Sequence, residues 1–203
     1  MLILPSVFNL IKSSERNIIA MTNWNDHVDH VLVSEEELKE IVSTLAARID
    51  ADYAGDDKNI VLVGVLKGSI TFMADLMKAI KSPAEIDFMR VSSYGNSTVA
   101  SGNVNIILDL NRPNLPNEDI IIVEDIVDSG RTLKYLVAYL LNKGARSVRT
   151  VTLLDKPERR EVDFVPEYVG KVVPNEFVIG YGLDYAEKYR TLPYVGVIRQ
   201  DKI

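Results

Sequence analysis

Residues 120–132 read Ile-Ile-Ile-Val-Glu-Asp-Ile-Val-Asp-Ser-Gly-Arg-Thr, and no other stretch constrains the fold so tightly. Residues 120–123 form a short β-branched run, the pattern of a strand buried on both faces. Two carboxylates, Glu124 and Asp125, follow at once, and then a small loop, Asp128-Ser129-Gly130-Arg131-Thr132. After the loop, Leu133, Leu136, Val137, Leu140 and Leu141 recur at helical spacing, ended by Lys143-Gly144 as a C-cap. The order is strand, acidic pair, small loop, helix.

Each part has a chemical use. A helix N-terminus preceded by small residues offers free backbone N–H groups and a positive dipole end, which together bind phosphate. Ser129 and Thr132 add hydroxyl donors, and Gly130 allows close approach of the backbone. The carboxylates at the strand end suit vicinal sugar hydroxyls or a magnesium shell. Neither the dinucleotide loop Gly-x-Gly-x-x-Gly nor the triphosphate loop Gly-x-x-x-x-Gly-Lys-Ser/Thr occurs, which disfavours those ligands.

The same unit occurs earlier. Residues 60–66 read as a buried strand, Lys67-Gly68-Ser69 as its loop, and Ile70, Phe72, Met73, Leu76, Met77 and Ile80 as a helix. In open parallel sheets ligands sit at this edge, beyond the strands' C-terminal ends. Taken alone, Lys67 reads as a solvated charge as readily as a phosphate ligand. Ser34-Glu35-Glu36-Glu37 is a capping box, and Leu38, Ile41, Val42, Leu45, Ala46 and Ile49 follow it at helical spacing. His27 and His30 are too isolated to read as metal ligands.

Residues 85–91 and 104–110 read as paired strands. The polar, glycine-bearing stretch 92–102 between them is long for a hairpin turn and reads as a mobile lid. Residues 111–117, with two prolines, read as a turn cluster. Residues 147–154 are a further buried strand ending in Asp155-Lys156-Pro157-Glu158-Arg159-Arg160, and 168–173, 177–181 and 194–198 are short strands.

Composition narrows the partners. Lys and Arg number 23 against 29 Asp and Glu, a net charge of −6, which argues against bulk-charge binding of nucleic acid. There is no cysteine, hence no disulfide framework and no thiolate chemistry. No apolar run approaches the ~20 residues needed to span a bilayer. Residues 1–20 lack helical period, place Lys12 after their apolar part and precede a second methionine, Met21. They are expected to be a non-native or disordered extension, with residues 21–203 as a single domain.

The central stretch resembles the phosphoribosyl-pyrophosphate (PRPP) motif of type I phosphoribosyltransferases. Resemblance to the bacterial hypoxanthine-guanine members runs from about residue 24 to 200. It is carried in order by Lys67-Gly68, Ser93-Tyr94, the central motif, Leu154-Asp155-Lys156-Pro157, residues 177–185 and Arg190. Ser129 stands where threonine is frequent, and Arg131 where some members have lysine; both keep the donors.

The resemblance implies an α/β type I phosphoribosyltransferase fold, with a central mostly parallel sheet flanked by helices and a small hood. It implies magnesium-dependent purine salvage, giving IMP or GMP and pyrophosphate from PRPP and hypoxanthine or guanine. PRPP would meet Lys67, Gly68, Ser93, Tyr94, Glu124, Asp125, Asp128, Ser129, Gly130, Arg131, Thr132 and Arg190. The purine would meet Lys156, Phe177, Val178 and Asp184. Glu124, Asp125 and Asp184 would serve the Mg2+, and Asp128 would be the catalytic base. The peptide before Lys67 is expected to be cis, and Ser93-Tyr94 to close the lid. A cytoplasmic homodimer or homotetramer without nucleic-acid or membrane partners is also implied. The rival from another class is a PRPP-sensing regulator of the same fold. Such proteins often lose the catalytic acid or gain a basic surface, whereas here Asp128 is present and no Lys/Arg block occurs. Within the enzyme class the rival is a xanthine-guanine or other phosphoribosyltransferase.

Overall fold

The computed structural model describes residues 23–55, 60–93, 104–112 and 115–203. The extension expected at 1–20 and the lid stretch from Tyr94 onward lie outside these residues, as does the side chain of Ser93.

The strands are β1 (Val28–Val33), β2 (Ile60–Leu66), β3 (Ala84–Ser93), β4 (Val104–Leu108), β5 (Asp119–Val127), β6 (Ser147–Asp155), β7 (Tyr168–Val172), β8 (Val178–Ile179) and β9 (Val195–Ile198). The helices are α1 (Glu35–Asp52), α2 (Ile70–Ala79) and α3 (Arg131–Asn142). A six-stranded sheet runs in the order β4-β3-β2-β5-β6-β7, and a three-stranded sheet in the order β1-β9-β8. All pairings in the large sheet are parallel except β3 with β4. The small sheet is antiparallel throughout and corresponds to the expected hood.

The alternation of a pleated strand decides which side chains face which helices. In β5, Ile121 and Val123 pack with Leu62 beneath the buried residues of α1 and α2. Ile120 and Ile122 pack with Val61 and Val63 against Leu133, Leu136 and Leu140 of α3. Both faces are therefore covered, which is why these strands read as unbroken apolar runs rather than alternating ones. Burying each such side chain contributes about 2 kcal/mol. At the start of α1, Ser34 Oγ accepts from Glu37 N at 3.2 Å, the first half of the expected capping box.

Three local expectations needed revision. Ile70 and Met77 are 50% and 45% exposed, because the residues that α2 buries fully are Phe72, Met73 and Leu76. Leu141 is likewise outside the buried stripe of α3. The strand expected over 177–181 is only Val178–Ile179, since Gly180 and Tyr181 turn away with positive φ. β1 was not apparent in the sequence at all: Asp29 and His30 break its apolar pattern, and it exists by pairing with β9.

Register fixes the functional edge. Gly64 lies opposite Val123, and Val127 opposite Asp155, so the C-terminal ends of β2, β5 and β6 share one edge of the large sheet. Glu124 and Asp125 lie toward the end of β5 there, and Lys67, Asp128 and Lys156 follow directly on β2, β5 and β6. The turn after β8 is tied to α2, where Tyr181 Oη donates to Asp75 Oδ2 at 2.6 Å.

Candidate functional site

Two adjoining cavities open at this edge. The smaller, about 230 Å³, is bounded by Lys67, Gly68, Glu124, Asp125, Thr132 and Arg190. The larger, about 570 Å³, is bounded by Asp128, Lys156, Arg159, Phe177 and Val178. Asp125 and Asp184 line both, so the two spaces form one site with a carboxylate wall between them. A third cavity, about 650 Å³, lies among α1, α2 and Leu192-Pro193 and shares only Arg190 with the strand-end residues. It lies away from the strand ends, and of its acids Asp75 is already engaged by Tyr181 and Lys78.

The smaller cavity is built by close backbone approach. The Leu66-Lys67 peptide is cis, as expected. Gly68 lies so near β5 that a Cβ there would sit 1.7 Å from Asp125 Oδ2. Gly182 closes over Gly68 from the other side, and its own Cβ would sit 2.1 Å from the Gly68 carbonyl oxygen. Three segments that are distant in sequence therefore meet backbone to side chain, a packing only glycine permits.

Its charge is divided. Burial pushes the Glu124 carboxyl well above the ordinary carboxylate range, and the neighbouring Asp125 adds to the effect. Burial also raises Asp125 to about 6, opposed by the Ile126 N–H and by Arg190. Among the described residues Glu124 Oε2 is buried without a hydrogen-bond partner. Carboxyl oxygens accept hydrogen bonds, which matches the donors that vicinal hydroxyls offer. Facing the acids, Arg190 Nη2 lies 2.8 Å from Asp184 Oδ1, and Arg190 Nη1 donates to the Gly182 carbonyl at 2.8 Å. Lys67 Nζ lies 2.8 Å from Glu187 Oε2.

The N-cap of α3 is Gly130, which has no side chain to accept from the first N–H groups of the helix. Gly130 at the N-cap has φ 78°, a conformation suited to glycine. Ser129 Oγ accepts from Arg131 N at 3.3 Å. The segment after β6 straps the loop down. Arg159 Nε donates to Asp128 Oδ1 at 3.0 Å, Arg160 Nη1 to the Asp128 carbonyl at 2.7 Å, and Arg131 Nε to Glu161 Oε2 at 2.6 Å. Arg160 also pairs with the buried Asp155. Arg160→Ala is therefore expected to lower stability by roughly 3 kcal/mol, because it leaves a buried carboxylate unpaired. Chemical denaturation measures this; an unaltered midpoint would show that the strap carries no stability.

In the larger cavity Lys156 is 8% exposed, not the surface lysine it resembles in isolation. Burial lowers its pKa, with Asp128 opposing. Its Nζ donates to the Glu176 carbonyl at 2.5 Å. Phe177, 44% exposed, meets Tyr185 edge-to-face at 5.4 Å, and an exposed ring in a cavity wall is a stacking surface. Val178 is buried in β8, opposite Val197 of β9.

The donor set bears on the expected magnesium. Among the described residues no group of three or more His, Cys, Asp or Glu side chains converges on one ion position. Magnesium is commonly held by one or two carboxylates with waters and substrate phosphate oxygens completing the shell. Asp184, Asp125 and the unpartnered Glu124 Oε2 fit that mode rather than a protein-only cage.

Of the expected site residues, the structure brings Lys67, Gly68, Glu124, Asp125, Asp128, Thr132, Lys156, Phe177, Val178, Asp184 and Arg190 to these two cavities. Ser129, Gly130 and Arg131 form the adjoining loop, and Ser93 ends β3. Sequence reasoning gave no role to Arg159, Arg160 or Glu187. The Arg159-Arg160 doublet was visible, but Asp128 lies 31 and 32 residues away from the two arginines.

Residues 32–186 match the phosphoribosyl transferase domain family. The chain is 54% identical over 175 residues to the hypoxanthine-guanine phosphoribosyltransferase of Streptococcus mutans, covering 86% of this chain and 96% of that protein. It is 52% identical over 172 residues to the Bacillus subtilis protein of the same name, covering 85% and 94%. It is also 52% identical over 186 residues, 92% of this chain, to the bifunctional protein TilS/HprT of Listeria innocua, of whose length it spans 28%. A crystal structure of a hypoxanthine phosphoribosyltransferase from Staphylococcus aureus superposes with a TM-score of 0.84 at 45% identity, covering 90% of this chain and 98% of that one.

Proposed function

The chain belongs to the phosphoribosyltransferase family, and from that we propose that it transfers the 5-phosphoribosyl group of PRPP to hypoxanthine or guanine, giving IMP or GMP and releasing pyrophosphate. The observation that carries the reading is a shared wall. Asp125 and Asp184 line both the Lys67–Arg190 cavity and the Lys156–Phe177 cavity, so a sugar held at the wall reaches a leaving group on one side and a base on the other.

In this reading the N–H groups and hydroxyls of residues 128–132 hold the 5′-phosphate, and Glu124 and Asp125 hold the ribose hydroxyls. Lys67 and Arg190 hold the diphosphate, and the Gly68 backbone lies against it. The base stacks on Phe177, has its edge read by Val178 backbone groups and Asp184, and presents its six-oxo group to Lys156. As N9 bonds to C1 of the ribose and the C1–oxygen bond to pyrophosphate breaks, Asp128 takes the proton from N7. The transition state carries positive charge on the ring and negative charge on the leaving group, so fixed charges and positioning carry the catalysis. Mg2+, held by Asp184 with Glu124 and Asp125 nearby, would neutralise part of the diphosphate charge when bound. A cytoplasmic homodimer or homotetramer, with no nucleic-acid or membrane partner, is part of the same reading; sedimentation of the purified chain tests the assembly.

Lys156 sets the selectivity. Its ammonium donates to a six-oxo group but opposes the amine of adenine, and an unpaired buried donor costs about 1–3 kcal/mol. With PRPP and magnesium, hypoxanthine and guanine are expected to release pyrophosphate at least ~100-fold faster than adenine, with xanthine as the fourth base assayed. Equal turnover of adenine would remove Lys156 from base recognition, and no turnover of any base would overturn the enzymatic reading.

A further inference from the structure

Glu187 has no part in the reaction just described, yet its carboxylate holds both cations assigned to the diphosphate. Its Oε2 lies 2.8 Å from Lys67 Nζ and 3.2 Å from Arg190 Nη2, so one oxygen bridges an ammonium on the β2 side and a guanidinium on the β9 side. The side chain is 65% exposed, so packing does not fix its direction. The backbone does part of that work: Glu187 has φ 65°, Ala186 has φ 49°, and the Glu187 N–H donates to Asp184 Oδ2 at 2.8 Å. The resulting turn aims the carboxylate back toward the strand ends. An anionic oxygen accepting from an ammonium and a guanidinium has the charge and the acceptor role of a phosphoryl oxygen.

We propose that Glu187 is a positioning residue that stands in for a diphosphate oxygen, keeping Lys67 and Arg190 drawn together until the substrate displaces it. The inference rests on reading the Lys67–Arg190 cavity as the diphosphate site. The carboxylate is then an intramolecular competitor. It weakens the binding of PRPP and of the product pyrophosphate alike, and leaves the base site untouched. Exposed ion pairs are individually weak, so the competition amounts to about three- to tenfold in affinity.

The test is calorimetric titration of the full chain with inorganic pyrophosphate, with and without magnesium, alongside steady-state kinetics. Glu187→Gln keeps the shape and removes the charge. It is expected to tighten pyrophosphate about three- to tenfold and to lower KM for PRPP by a similar factor, with KM for hypoxanthine unchanged. Glu40→Gln removes the same charge from the exposed face of α1 and is expected to leave both constants within about twofold, the small effect typical of an exposed site. Pyrophosphate affinity that is unchanged or weaker in Glu187→Gln overturns the proposal. An equal gain in Glu40→Gln, or no pyrophosphate binding by any of the chains, does so too. Failure of the enzymatic reading looks different: no purine is converted, while Glu187→Gln still tightens pyrophosphate. Intact transfer with unaltered pyrophosphate affinity is the reverse case.

Discussion

Asp128→Asn is expected to lower kcat by about 10²–10⁴, the span of general acid–base work, while KM for PRPP moves little. Asp128 leaves β5 at the sheet edge, stands at the mouth of the base cavity, and accepts from Arg159 Nε at 3.0 Å. Asparagine keeps the size of the side chain and an oxygen for Arg159, and the main-chain carbonyl that accepts from Arg160 is untouched. The loop that holds phosphate should therefore keep its form. What is lost is an oxygen basic enough to take the N7 proton as N9 becomes bonded to carbon. Single-turnover rates with hypoxanthine separate the chemical step from product release. A variant that turns over at the wild-type rate in that assay would take Asp128 out of the chemistry.

Gly68→Ala should be nearly as damaging, for a steric reason. The added methyl would lie 1.7 Å from Asp125 Oδ2 and 2.6 Å from its Cγ. Asp125 has little room to yield, because its Oδ1 accepts from Ile126 N at 2.8 Å and Glu124 precedes it on the same strand. The Gly68 segment cannot retreat either, since the carbonyl of Gly68 already lies against Gly182. Relief of the clash must move the carboxylate that faces the ribose or the loop that carries Lys67. A misplacement of about 1 Å at a reacting centre costs on the order of 10²-fold, and overpacking of this kind costs about 1–3 kcal/mol. We expect kcat/KM for PRPP to fall by about 10² and thermal stability to fall with it. Wild-type kcat/KM in a folded Gly68→Ala chain would mean that the backbone approach does not position Asp125.

The two predictions differ in how far the sequence led to them. Asp128 stands in a contiguous motif, and the family resemblance of that motif implies its role. Gly68 is visible in the sequence beside Lys67, but its contact with Asp125 depends on the parallel pairing of β2 with β5, neighbours in the sheet that β3 and β4 separate in sequence.

Features written by neighbours in the chain were legible from the residues alone. The buried run before Glu124, the small loop before α3, the Ser34 cap of α1 and the strand–loop–helix unit at Lys67 each depend on period, propensity and hydrogen bonds within a few residues. Those terms act before the chain has folded back on itself. The strand-end edge and the acids at it follow from them, whereas Lys156, Phe177, Val178, Asp184 and Arg190 are reached only through the family resemblance.

What only the tertiary structure decided are the meetings of distant segments. β1 forms because β9 lies beside it, although its own pattern is broken by Asp29 and His30. Arg159 and Arg160 reach the loop at Asp128, and Glu187 reaches Lys67, through turns whose register no local pattern encodes. Charge states belong to the same class. Glu124 and Asp125 are adjacent acids in the sequence and would ionise normally in water. Removal from solvent raises the pKa of both, Asp125 adds to the effect at Glu124, and Arg190 and Asp184 act on Asp125; those conditions exist only once the chain has closed around them.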